Sequence, residues 1–85
     1  MTQASCHAAL ADFGTAWKTA NYPMPSKPAQ ARVIGDNGYQ TSGAKVTFMR
    51  SQAQIAAQEC EKGDNAASLD RIAKLEASLA EGAPR

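Results

Sequence analysis

The chain has 85 residues, enough for one domain and no more. Nine basic against eight acidic residues leave a net charge of +1. Lys18, Lys27, Arg32, Lys45 and Arg50 are scattered, which excludes the concentrated basic patch that nucleic-acid binding uses, and no apolar run approaches the roughly 20 residues of a transmembrane helix.

Alanine is used heavily, and it has the highest intrinsic helix propensity. A first helix is predicted over about residues 4–20. Cys6, Ala9, Leu10, Phe13, Ala16, Trp17 and Ala20 recur there at spacings of three and four, which gathers them into one apolar stripe. Thr2 or Ser5 can cap its start, and Asn21 with Pro23 ends it. A linker over 21–43 follows, stiffened by Pro23, Pro25 and Pro28. Its second half admits two structures. Pro28 can open a short helix through Ile34, closed by Gly35. Alternatively, Asn37-Gly38 can turn a hairpin between Arg32–Ile34 and Tyr39–Thr41. The short helix is the preferred expectation, because an isolated two-stranded hairpin is marginal in water.

The second helix is predicted over about 44–62, with Thr41 or Ser42 as N-cap and Gly63 just past its end. Val46, Met49, Ala53, Ala56, Ala57 and Cys60 form its main stripe. Phe48 and Ile55 form a second apolar face. The third helix is predicted over about 66–80, carrying Leu69, Ile72, Leu75 and Leu79 and capped by Asp64 or Asn65. Gly82 and Pro84 stop it. The short turn around Gly63–Asn65 makes helices two and three antiparallel neighbours. The fold class is therefore all-α: one domain over 1–85, built as a small antiparallel bundle of three helices, or four with the linker helix.

The two cysteines carry the strongest inference. Cys6 lies near the start of helix one and Cys60 near the end of helix two, each on its apolar stripe. Antiparallel packing of these helices brings the two together. The same register sets Leu10 against Ala56, Phe13 against Ala53, Trp17 against Met49 and Ala20 against Val46. Core pairing and a Cys6–Cys60 disulfide thus agree. Closing so long a loop stabilises a chain by about 4 kcal/mol. That is a large share of the stability of a chain this short, which buries only about 60–65% of its unfolded surface. A disulfide places the protein in an oxidising compartment, periplasmic or extracellular. No signal-peptide pattern is read at the start.

Chemistry is sparse. His7 is the single histidine, about 100° around the helix from Cys6, and the usual zinc ligand sets need more than this. A soft-metal, copper-type site from His7, Met24 and Met49 is the minor alternative to no metal at all. The serines sit at caps, in loops or on polar faces away from a base, so nucleophilic catalysis has no constellation. The carboxylates read as caps or solvated faces; Glu76 alone falls near an apolar stripe, where Arg50 could pair with it. Gly35-Asp36-Asn37-Gly38 is a turn and lacks the remaining ligands of a calcium loop. No cofactor is implied.

Phe48 and Ile55 either receive helix three or form a contact surface for another chain, with Gln52 on their rim and Tyr22, Met24 and Tyr39 of the linker beside them. The reading that follows is a non-enzymatic exported helical protein acting through a protein partner or self-association. In size and layout, with two cysteines on a helical body, the chain resembles small periplasmic acid-stress chaperones, which implies a periplasmic chaperone or holdase as the second reading.

Overall fold

The computed structural model describes residues 5–23 and 31–84, and these form a small all-α domain with a short hairpin and one disulfide. In chain order the elements are α1 (Cys6–Ala20), β1 (Val33–Ile34), β2 (Gln40–Thr41), α2 (Gly43–Glu61) and α3 (Asn65–Glu81). Each helix begins on a short polar side chain that accepts from the backbone of the first turn. The Ser5 hydroxyl accepts from Ala8 N–H at 3.1 Å, the Ser42 hydroxyl from Lys45 N–H at 3.1 Å, and the Asp64 carboxylate from Ala67 N–H at 3.3 Å. Asn21 ends α1 in the left-handed region at φ 48°, and Gly63 follows α2 at φ 86°.

α2 and α3 pack closely because small residues meet between them. Ser68 is fully buried, and its hydroxyl donates to Ala56 O across the interface at 2.8 Å. Ile72, Leu75 and Leu79 of α3 join Val46, Met49 and Ala56 of α2 in the core. Arg71 fastens the flank, donating to Glu59 at 2.7 Å and to Gln52. Glu76 stands exposed on α3, away from the interface where the sequence pattern set it.

α1 rests more on α3 than on α2. Cys6 N–H, at the start of α1, donates to the Asn65 side chain at the start of α3 at 2.9 Å. Tyr22, just past α1, meets Gly82, just past α3. The two helices therefore run parallel, and α1 is antiparallel to α2 as the cysteine register requires. The register residues do not close fully on each other: Leu10, Phe13 and Trp17 face Met49 and Ala53 across an open groove.

In the linker, the preferred short helix is wrong over its described part, and residues 24–30 lie outside the described region. Val33 and Ile34 pair antiparallel with Thr41 and Gln40. The turn is the Asn-Gly one: Asn37 has φ 59° and Gly38 φ 82°, and Tyr39 N–H closes on Asp36 O at 3.1 Å. The objection that an isolated hairpin is marginal fails because this hairpin is not isolated. Asp36 N–H donates to Ala20 O at 2.7 Å, Asn37 donates to Thr19 O at 2.6 Å, and Gln40 N–H donates to Gly82 O at 3.0 Å. Val33 is buried beneath it. The hairpin thus plugs the end of the bundle opposite the disulfide.

An aromatic chain joins helix to hairpin: Phe13 to Trp17 at 6.0 Å, Trp17 to Tyr22 at 5.9 Å, and Tyr22 edge-on to Tyr39 at 6.2 Å. The Tyr22 hydroxyl is buried without a hydrogen-bond partner among the described residues. Burial first, and Tyr39 second, raises its pKa above the ordinary tyrosine value of 10.0. A folded-state pKa above the unfolded value means that this contribution to stability is full below pH 10 and is lost as pH rises past it. Tyr22→Phe removes an unsatisfied buried group and keeps the ring, so it should raise stability by about 1 kcal/mol and flatten the alkaline limb of the stability–pH curve. Denaturant melts of both proteins at neutral and alkaline pH measure this, and a less stable Phe variant would mean that the hydroxyl has a partner in solution.

Candidate functional site

The described residues include three places where chemistry or apolar surface gathers into a cluster or groove; Ile34 of β1, 63% exposed, stands outside them. The first is the disulfide end. Cys6 opens α1 and Cys60 lies in the last turn of α2, with 5.8 Å between their Cα atoms. Both are 5% exposed. His7, the next residue along α1, is exposed, and a ring nitrogen comes within 4.8 Å of both sulfurs. The helical offset from Cys6 does not keep the imidazole away, because the second sulfur arrives from α2 and the side chain reaches sideways to it. The copper-type set is not assembled. Met49 is buried in the core and faces the Trp17 end of α1, ten residues or about 15 Å along the helix from His7. Met24 lies outside the described residues.

The second place is the flank between α2 and α3. Phe48 is 54% exposed. It stands at one end of a groove of about 190 Å³, whose sides include Gln52 and Glu59 of α2 and Arg71, Lys74 and Leu75 of α3. Ile55, on the same side of α2, is half-buried, as is Gln52. Helix three therefore covers part of the second apolar face and leaves its largest residue in solvent. The hydrogen bond to Glu59 outweighs the opposing effect of burial and raises the Arg71 pKa, so the groove keeps its cation at every accessible pH. Tyr22 and Tyr39 do not belong to this surface. Tyr22 is buried and Tyr39 half-buried against it, at the hairpin end, because their rings fill the gap between α1 and the hairpin.

The third place was assigned by sequence to the core. Leu10, Phe13, Gly14 and Trp17 of α1 and Met49, Arg50, Ala53 and Gln54 of α2 line a groove of about 350 Å³. Phe13 and Met49 are buried, Leu10, Trp17 and Ala53 half-buried, and Arg50 and Gln54 exposed at the rim. One signal in the sequence could have found it: Gly14, mid-helix among the stripe residues, where a Cβ would meet nothing within 4 Å.

Comparison with protein-family models, with curated proteins and with solved structures found no match to this chain. Fold and surface together define its class: a small disulfide-clamped helical domain with a largely apolar groove between α1 and α2 and a mostly polar one, with Phe48 in its wall, between α2 and α3. No helix among the described residues is long and apolar enough to cross a membrane.

Proposed function

We propose that this protein is a non-catalytic helical binding module, acting through a protein partner or a second copy of itself in an oxidising compartment, periplasmic or extracellular. The observation that carries the reading is Phe48, left 54% exposed in the wall of the groove between α2 and α3. Exposed aromatics beside a lined groove are common anchors of protein interfaces. Gln52 and Arg71 supply polar edges that would orient an incoming chain. The disulfide supports the compartment, since such bridges persist where thiols are not kept reduced.

Position 48 tests the proposal. A photoreactive phenylalanine analogue there, in cells exporting the protein, should form an adduct with a defined mass: either twice the chain or the chain plus one recurrent protein. Phe48→Ser should abolish any concentration-dependent association seen by sedimentation and leave the melting curve nearly unchanged. A strictly monomeric wild type that yields no adduct would end the reading. The α1/α2 groove favours a second reading, a holdase for apolar segments, because its floor is Phe13 and Met49 and its rim is polar. That activity would appear as suppressed aggregation of an unfolded client.

A further inference from the structure

We propose that Cys6, Cys60 and His7 form a zinc site that exists only when the disulfide is reduced. The inference rests on the clustering of three donor atoms and is independent of the binding surface at Phe48. Two sulfurs and an imidazole nitrogen lie within 4.8 Å of one another. Zinc holds thiolate sulfur at roughly 2.3 Å and imidazole nitrogen at roughly 2.0 Å, so its ligand atoms stand roughly 3.5–3.8 Å apart in a tetrahedron. The cysteine Cα atoms, 5.8 Å apart, allow that spacing through rotation about the Cα–Cβ bonds, without movement of either helix. Two cysteines and one histidine leave the fourth position to water, as in the open type of zinc site.

The surroundings suit the ion. Cys6 is the first residue of α1, where the positive end of the helix dipole favours a thiolate. Its own N–H donates to Asn65 at 2.9 Å, which fixes the start of α1 beside the start of α3. Both sulfurs are buried, while His7 faces solvent and gives the ion a way in.

The chemistry balances with a dithiol as reductant. Its first thiolate attacks one sulfur of the bridge and forms a mixed disulfide. Its second thiol displaces the protein sulfur and leaves as a cyclic disulfide. The Cys6–Cys60 bond has then taken up two electrons and two protons. Zn²⁺ displaces those two protons, forming two Zn–S bonds and one Zn–N bond to His7. Disulfide and zinc thus hold the same two helix ends together in alternation, and reductant with metal replaces one clamp by the other.

The test uses the whole chain, reduced by a phosphine under nitrogen and titrated with Zn²⁺ against a chromophoric chelator, with Co²⁺ as an optical reporter. The oxidised protein should bind no zinc and the reduced protein one ion per chain. Cobalt should then give thiolate charge-transfer absorption and tetrahedral d–d bands. His7→Ala, which leaves the disulfide intact, should weaken zinc binding by the reduced form at least about tenfold. Zinc should also raise the melting temperature of the reduced protein and leave that of the oxidised protein unchanged. The proposal is overturned if reduced wild type binds no more tightly than reduced Cys6→Ser/Cys60→Ser, or if His7→Ala binds as tightly as wild type. It is equally overturned if reduction melts the helices and zinc fails to restore their circular dichroism.

Discussion

Cys6→Ala/Cys60→Ala is expected to destabilise the protein by about 4 kcal/mol, the loop-closure entropy of a bridge spanning 54 residues of sequence. For a domain of this size that corresponds to a fall in melting temperature of roughly 20 °C. The size of the effect follows from where the bridge sits. α1 makes less contact with α2 than α3 does, and a groove separates much of their facing surfaces. Burial alone therefore does little to hold α1 to α2, and the covalent link at one end substitutes for it. The other end of α1 is held by the hairpin through Asp36 and Asn37, and through Tyr39, whose ring meets that of Tyr22. Calorimetry of the oxidised protein against the double variant, both without metal, measures the difference. A loss below about 1 kcal/mol would show that the unfolded chain is already compact around the two cysteines, or that α1 docks well without the bridge.

Much of this arrangement was legible in the sequence because it is local. Ser5, Ser42 and Asp64 are short polar residues directly ahead of periodic apolar runs, and each proves to be the N-cap. Asn21 and Gly63 end their helices in the left-handed region, which asparagine and glycine tolerate best. The Cys6–Cys60 pairing was legible because two stripes and one register demanded the same partner. Contacts set by distant segments were not. The hairpin depends on hydrogen bonds that its Asp36 and Gln40 N–H groups donate to the Ala20 and Gly82 carbonyls, and nothing in the sequence between 31 and 41 announces those partners. The preference of α1 for α3 was hidden for a related reason. Ser68 and Ala56 draw α2 and α3 close together, and α1 then follows α3 from Asn65 to Gly82. At the candidate sites, Phe48 was marked by its place on the wrong side of a helix. The nearness of His7 to both sulfurs depends on a side chain reaching around the helix toward another element, which helical angles alone do not describe.

Glycine positions show the same division between what is local and what is not, and they yield the second large effect. Gly14 and Gly35 look alike in sequence, each a glycine between larger residues. In the structure they are opposites. A Cβ on Gly35 would lie 2.0 Å from Ala20 O and 3.2 Å from the Tyr22 ring. The Ala20 carbonyl is already fixed there by Asp36 N–H at 2.7 Å, and Asn21 ties the same corner through the Asp36 carboxylate at 2.8 Å. The clash falls on backbone, which cannot rotate aside. Gly35→Ala should therefore lift the hairpin from the end of α1, costing about 3 kcal/mol and roughly 15 °C in melting temperature. Gly14→Ala meets open space in the middle of α1 and should stabilise by about 1 kcal/mol, the ordinary gain of alanine over glycine in a helix. Its methyl group would also narrow the α1/α2 groove from the α1 wall. Thermal melts of the two variants separate the cases. Equal and small effects would mean that the hairpin does not dock on Ala20 in solution, and the packing of Tyr22 between α1 and Gly82 would have to be redrawn with it.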